Sequence, residues 1–284
     1  MKKAFALAAA AMMALSLTAC GGSSSSETKA ESAAETEQAA GSEEAAAGES
    51  DLEYVKEKGK LVVGITDFAP MDYKDDSGNW IGFDADLATE FAKSIGVDVE
   101  FIEINWDNKI MELDGKTIDC VWNGMTLTDE VKSSMSTTNA YCNNSQIVII
   151  PKDKADQDQD KDSLKDLTFA VESGSAGEEQ AKELGAEYTP VESQANALLE
   201  VSSGTSDAAI IDSLMADAMV GEGTSYENLT HTVKLNDEEY GVGFRKGSDL
   251  TDKLNQFFAD SEKDGTMEKI AEKYGVTAAL ISQQ

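Results

Sequence analysis

Apolar positions fall into three regimes along this chain. Residues 4–17 are almost entirely apolar and uncharged, and they follow Lys2 and Lys3. A run this short and Ala-rich fits an export leader better than a membrane span. Residues 21–50 hold no aromatic or branched aliphatic side chain, so they cannot bury enough surface to offset their ordering entropy. From Leu61 onward, strand-like and helix-like periods alternate. Residues 61–65 read as a buried strand. A loop follows through Asp67, Phe68, Pro70 and Tyr73, with a turn at Asp75-Asp76-Ser77-Gly78. Asp84 reads as the N-cap of a helix carrying Leu87, Phe91 and Ile95 and ended by Gly96. Strands are expected at 97–104, 118–121 (running on to Asn123-Gly124) and 146–150, and short helices at 109–113 and 129–135.

The polar segment 152–162 interrupts this series, and a second one begins. Its strands are expected at 167–171, 208–211 and 229–235, and its helices at 177–184, 196–201 and 214–220. The chain then passes Glu239-Tyr240-Gly241 and closes in helices whose apolar faces hold Leu254, Phe257 and Phe258, then Met267, Ile270, Ala271 and Tyr274. Repeated βα units of this length predict an α/β fold with mainly parallel sheets covered by helices. Two consecutive series predict two lobes with a cleft between them.

Charge narrows the partners. The formal net charge is −31, from 54 acidic against 23 basic residues. That excludes nucleic acid and adhesion of the domain surface to anionic headgroups. Arg245 is the sole arginine. Any anionic ligand must then be held mostly by lysine, hydroxyls and backbone N–H groups. Beyond Cys20, only Cys120 and Cys142 remain. Their place near strand-like segments favours two buried free thiols over a bridge.

The leader ends in Leu17-Thr18-Ala19-Cys20, which resembles the bacterial lipoprotein box. The resemblance implies cleavage before Cys20 and acylation of its thiol and new amino terminus, a dual anchor that holds on a bilayer. As a flexible leash, the following polar stretch of about thirty residues spans roughly 30 Å r.m.s.. An ordinary secretory leader with a chance cysteine is the plainer alternative.

Within the domain, the opening LVVG strand, Phe68 two residues before Pro70, GFDADLA at 82–88, Trp106-Asp107 and Gly-Met-Thr at 124–126 stand in order. AVESGSAGEEQAKELG at 170–185, SDAAIIDSLMADAMV at 206–220 and EEYGVGFRKGSDLTDKLN at 238–255 follow. This series resembles the polar amino-acid class, family 3, of the bacterial extracellular solute-binding proteins, the receptors of ABC importers. The resemblance implies a two-lobe type II periplasmic-binding-protein-like fold with two hinge crossings, near Gln146 and Glu239. It places the signal peptide at 1–19, the lipidated cysteine and tether at 20–52, lobe 1 at 53–145 and 241–284, and lobe 2 with the hinge strands at 146–240.

Carried over by residue, the resemblance implies that Phe68 and Trp106 clamp the ligand side chain, where either alone would otherwise be a core aromatic. It assigns Asn123, Gly124 and Thr126 to the ligand carboxylate. It assigns Ser175, Ala176 and Gly177 to N–H donation at a helix N-terminus, where a plain cap is the alternative. Asp212 matches the acid that grips the α-ammonium, against an ordinary solvated N-cap. Asp67 is counted with the site, and Asp67, Glu172 and Asp212 are the only candidates for a cleft-facing acid or base that an enzyme would need. The chain departs from the family at Val131, where an arginine usually forks onto the carboxylate. Lys132 reaches in, or hydroxyls and backbone groups act alone, or the ligand has no free α-carboxylate.

Metal chemistry finds no support: Asp156, Asp158, Asp160 and Asp162 alternate like a calcium loop, but Lys161 and Leu167 stand where glycine and glutamate belong, and His231 has no ligand cluster. No cofactor is expected. The expectation is a monomeric, extracytoplasmic, lipid-anchored receptor that passes a small polar solute to a permease and performs no chemistry. An enzyme on the same scaffold, of the cyclohexadienyl dehydratase kind, and a sensory surface domain are the alternatives.

Overall fold

The computed structural model describes residues 50–156 and 160–284. The leader, Cys20 and most of the tether lie outside the described residues. No helix among those described is long and apolar enough to cross a membrane.

The first series gives α1 (Asp51–Lys58), β1 (Lys60–Ile65), the hairpin β2 (Tyr73–Lys74) and β3 (Trp80–Ile81), and α2 (Phe83–Ile95). It continues with β4 (Asp98–Glu103), α3 (Lys109–Asp114), β5 (Cys120–Thr126), α4 (Asp129–Ser134), β6 (Ser136–Thr137) and β7 (Cys142–Asn144). The second series is β8 (Gln146–Pro151), β9 (Thr168–Glu172), α5 (Ala176–Leu184), β10 (Glu187–Val191), α6 (Gln194–Ser203), β11 (Ala208–Asp212), α7 (Ser213–Met219) and β12 (Leu229–Lys234). β13 (Glu238–Phe244), α8 (Leu250–Asp264) and α9 (Thr266–Tyr274) complete the chain.

Two sheets result. The first runs β4-β1-β5-β13-β6 with β7 also on β13, and the second runs β10-β9-β11-β8-β12. β4, β1 and β5 are parallel, as are β10, β9 and β11, whereas β13 and β8 run antiparallel to their neighbours. The strand period sets the layers. Ile147 and Ile149 of β8 pack into one apolar cluster and Val148 and Ile150 into the other, as expected where both faces of a strand are covered. Each such side chain removed from water contributes about 1.5–3 kcal/mol.

The chain passes between sheets twice. Ser145 alone separates β7 from β8, and Leu235, Asn236 and Asp237 separate β12 from β13. The crossings are tied together: Leu235 N–H donates to Gln146 O at 2.9 Å, and Gln146 N–H donates to Asn236 Oδ1 at 2.7 Å.

Three expectations change. The domain begins inside the expected tether, because Ser50 caps α1 by accepting from Glu53 N–H. Asp84 is not the N-cap of α2. Gly82 takes that place, and the Asp84 carboxylate turns inward to accept from Gly124 N–H and Tyr141 Oη, both at 2.7 Å. The lobe boundary at residue 240 falls inside β13, where Glu238, Glu239 and Tyr240 already pair with Asn144, Asn143 and Cys142 of the first sheet. Cys120 and Cys142 are both buried free thiols.

The lone arginine is structural. Arg245 is 9 % exposed. Its guanidinium meets Asp51 at 2.9 Å and Asp119 at 3.4 Å, and Nη1 donates to Ile118 O at 2.8 Å. Lys58 adds a second cation to Asp119 at 2.5 Å. The group fastens α1 to the first sheet, far in kind from any anion-binding role.

Candidate functional site

The parallel strands of both sheets direct their carboxyl ends toward the gap between the sheets, where α/β folds hold ligands. A cavity lies there, walled by Phe68, Trp106, Lys109, Asn123, Gly124, Met125, Thr126, Thr128, Glu130 and Val131 from one side. Glu172, Gly174, Ser175, Ala176, Glu179, Gln194 and Asp212 wall the other. Its volume is about 30 Å³, room for one or two waters. The lobes meet across it. Lys109 Nζ donates to Gly174 O at 2.9 Å, and a Cβ on Gly174 would stand 2.7 Å from Asp107 Cα.

The aromatic wall is set by a glycine. Gly124 has φ 53°, and a Cβ there would meet Phe68 Cε1 at 2.4 Å. Only a residue without a side chain gives β5 that turn beneath the ring. Phe68 packs edge-on to Tyr240 with centroids 6.3 Å apart. Phe68 and Trp106 are 2 % and 7 % exposed, and both border the cavity.

The residues carried over from the family divide into three groups. Phe68, Trp106, Asn123, Gly124, Thr126, Ser175, Ala176 and Asp212 are brought to the cavity wall. Gly177 is not on it. A Cβ there would stand 2.8 Å from Ile210 O, so its absence lets α5 pack against β11. Asp67 and Lys132 line separate openings on either side of the cavity, Asp67 with Glu103 and Glu192, Lys132 with Asn143 and Gln180. Lys132 is one residue past Val131, which turns its side chain about 100° away around α4.

Position on the wall does not make a group free to bind. Asn123 spends its amide inside the first lobe: Oδ1 accepts from Thr66 N–H and Oγ1, and Nδ2 donates to Thr66 O and Asp72 Oδ2. Thr126 Oγ1 donates to Glu238 Oε1 at 2.9 Å. Ser175 Oγ accepts from Glu178 N–H at 3.1 Å, which makes it the cap of α5. Asn123 through Thr126 sit in β5 itself and not in a loop after it.

Asp212 is 3 % exposed and makes no side-chain cap bond to α7, so the solvated-cap alternative does not describe it. Oδ1 accepts from Asn144 Nδ2, from Gln146 Nε2 at 2.9 Å and from Tyr240 Oη at 2.8 Å. Oδ2 accepts from Gln194 Nε2. Glu238 Oε1 accepts from the same Asn144 and Gln146 amides, at 2.6 and 2.8 Å. Burial, reinforced by the neighbouring Glu238 carboxylate, holds the Asp212 pKa well above the ordinary range.

Four charged groups on the wall were not assigned a binding role by sequence, and two of them, Glu172 and Lys109, are buried. Glu172, at the carboxyl end of β9, is 3 % exposed and its Oε1 has no hydrogen-bond partner. Burial pushes its pKa up to about 8, partly offset by Thr66 and the Lys109 charge. Lys109 is 7 % exposed. Its Nζ reaches only carbonyls, Gly174 O and Trp106 O (3.3 Å), and lies 5.1 Å from the Trp106 ring centroid. Burial lowers its pKa although Glu130, Glu172, Asp107 and Glu179 all pull it up. Signals for both were present. Lys109 lies one turn after Trp106 on the same face, and Glu172 ends a parallel strand.

The cavity wall thus carries Glu130, Glu172, Glu179 and Asp212 against Lys109 as its one basic side chain. Two aromatic faces suit apolar or cationic groups, and the acids suit cations. Among the described residues no group of three or more His, Cys, Asp and Glu side chains could hold a metal ion.

Comparison with known proteins agrees with this geometry. A family model described as "Bacterial extracellular solute-binding proteins, family 3" matches residues 61–277. The chain is 32 % identical over 283 residues to the arginine-binding extracellular protein ArtP of Bacillus subtilis, covering 96 % of this chain and 98 % of that protein. A mutant of ArgBP from T. maritima superposes with a TM-score of 0.74 at 30 % identity, covering 79 % of this chain and 98 % of that one. An ancestral amino acid-binding protein, AncCDT-1, a precursor of cyclohexadienyl dehydratase, gives 0.73 at 33 % identity over 79 % of this chain and 99 % of that one.

Proposed function

This chain belongs to family 3 of the bacterial extracellular solute-binding proteins, and from that membership we propose that it captures an amino acid with a cationic side chain between its lobes and delivers it to an ABC permease. Its curated relatives are binding proteins, and the chain is a solute-binding protein rather than an enzyme. The observation that carries the choice of solute is the Glu172 carboxylate, buried on the cavity wall with Oε1 unpartnered. A guanidinium, ammonium or imidazolium would supply the missing donor and neutralise the acid. Glu130 and Glu179 add negative charge at the rim, Phe68 and Trp106 supply faces for the stem of the side chain, and Asp212 takes the α-ammonium.

The cavity is too small for an amino acid as it stands, so a solute enters by parting the lobes about the crossings at Ser145 and at 235–237. A solute that touches both walls then favours the closed arrangement. Delivery from a lipid anchor rests on the Cys20 box and polar leash. Cys20→Ser should leave an uncut precursor or release unlipidated protein; processing and acylation unchanged from wild type would remove the anchor from this reading.

Calorimetric titration of the purified chain with arginine, lysine, histidine, glutamate and leucine tests the solute class. Binding to one or more of the first three, at least tenfold tighter than to glutamate or leucine, is the expected result. Preference for glutamate or leucine would overturn it.

A further inference from the structure

The cavity raises a question that its acids do not answer: what holds the carboxylate of an amino acid in a cleft where Val131 replaces the expected arginine. Val131 is 3 % exposed and packs with Trp106 and Met125, so it offers no donor. The Asn123 amide and the Thr126 hydroxyl are committed within the protein, whereas Ser175 Oγ only accepts from Glu178 N–H and keeps a neutral hydroxyl donor beside the Ala176 N–H. Lys132 faces another opening. Lys109 is the one cation on the wall.

We propose that the Lys109 ammonium holds the carboxylate of the bound amino acid, in place of the absent arginine at residue 131. The inference rests on the reading of the cleft as an amino-acid site. Three observations carry it. Lys109 is buried yet makes no ion pair among the described residues; its Nζ donates only to Gly174 O at 2.9 Å and Trp106 O at 3.3 Å. Glu130, Glu172, Asp107 and Glu179 act on its charge from beyond ion-pair distance, and among the described residues no carboxylate bonds to it. Second, Lys109 is the first residue of α3, the helix end where a positive charge is least favoured. A 3-10 turn, Trp106–Asn108, ends at Lys109 and its Trp106 carbonyl accepts from Nζ, which accounts for one of the three donors and not for the burial at the cavity. Third, an ammonium has three donors, and two carbonyls leave one for an incoming oxygen.

The bond to Gly174 joins the lobes, so the same side chain serves as a tie across the cleft whether or not a carboxylate accepts from it. A solute carboxylate between the lobes takes the third donor and adds a charged acceptor to the bridge. Burial lowers the Lys109 pKa, and the acids around it (Glu130, Glu172, Asp107 and Glu179) oppose that lowering.

The test separates the carboxylate from the tie. The purified full chain, Lys109→Met and Lys109→Arg are titrated calorimetrically with arginine against agmatine, lysine against cadaverine and histidine against histamine, pairs that differ by the carboxylate alone. Wild type should favour the amino acid of its preferred pair. Lys109→Met keeps the stem and loses the charge; it should bind the amino acid about ten- to a hundredfold more weakly and the amine within roughly threefold of wild type. Lys109→Arg should restore the preference for the amino acid. Equal losses on acid and amine would show a tie between lobes and nothing more, and would overturn the inference while leaving the amino-acid reading intact. Unchanged affinity of Lys109→Met for the amino acid would overturn it as well. Wild-type protein that binds none of the amino acids would overturn that reading, and this inference with it. A thermal melt of each variant confirms that all three are folded, since exchanging an unpaired buried ammonium for a thioether should not lower the melting temperature.

Discussion

Two buried cations in the first lobe have opposite surroundings. Arg245 has Asp51 and Asp119 on its guanidinium and two backbone carbonyls on Nη1. Lys109 has two carbonyls and no carboxylate partner. Their burial is nearly equal, at 9 % and 7 % exposed. What differs is completeness. The arginine site is finished by the fold itself, with charges balanced and donors placed. The lysine site has no carboxylate bonded to it among the described residues, and it borders the cavity between the sheets. A finished buried charge holds structure; an unfinished one at a cleft has a donor to offer.

That contrast can be broken in order of effect. Arg245→Met should be the most damaging, since it strands the buried Asp51 and Asp119 carboxylates and frees α1. A loss of about 3–5 kcal/mol is expected, read by denaturant titration. A loss under about 1 kcal/mol would erase the distinction drawn above. Glu172 comes next, and its effect has a sign. Its folded pKa, about 8, lies above the ordinary 4.5, so the folded state binds this proton more tightly than the unfolded chain. The stability it contributes is complete below about 4.5 and is lost as pH rises through 8. The melting temperature should fall across that window, and Glu172→Gln should flatten the fall. A wild-type slope unchanged by Glu172→Gln would contradict the buried environment of the group. A cationic solute at neutral pH should also displace that proton, seen as a heat that varies with the ionisation enthalpy of the buffer.

Smaller effects sharpen the comparison further. Val131→Arg on the Lys109→Met background moves the cation from one wall position to the other and should regain about tenfold of the lost carboxylate affinity, or ~1.4 kcal/mol. Isothermal titration reads it; no gain would mean that residue 131 does not face the carboxylate. The smallest effect is the stability of Lys109→Met itself, expected within about 1 kcal/mol of wild type and on the stable side. A drop comparable to that of Arg245→Met would make Lys109 a structural cation after all.

Much of the fold was legible because the buried strands leave a plain trace. β1, β8 and β11 are apolar almost throughout since both faces are covered. β10 left none. It lies at the edge of its sheet, with Glu187, Thr189 and Pro190 exposed, and an edge strand can carry a proline where a central one cannot. β13 was seen only as a passage, because EEYGVGF gains its burial from strands more than a hundred residues away in sequence. The start of α1 was readable: Ser50 and Glu53 stand at capping-box spacing, and the polar run before them concealed it. Several members of the site were found by resemblance, but their state was not. Whether Asn123 or Thr126 has a free donor depends on Asp72 and Glu238, which no local pattern brings near. Lys109 and Glu172 gain their meaning from burial by the opposite lobe, a property of the closed pair and of neither stretch alone.

The crossings carry a consequence of their own. Asn144 and Gln146 flank the single residue of the first crossing, and Glu238 opens the strand after the second. Both amides divide their hydrogen bonds between Glu238 and Asp212. The pivot and the acid at the cavity wall therefore draw on one small supply of protons. Any positive charge that settles on Asp212 loosens its claim on those amides and leaves more of them to Glu238, at the fulcrum. Occupancy need not be relayed across the protein to be felt by the machinery that moves it. The lock and the hinge pin are the same few atoms.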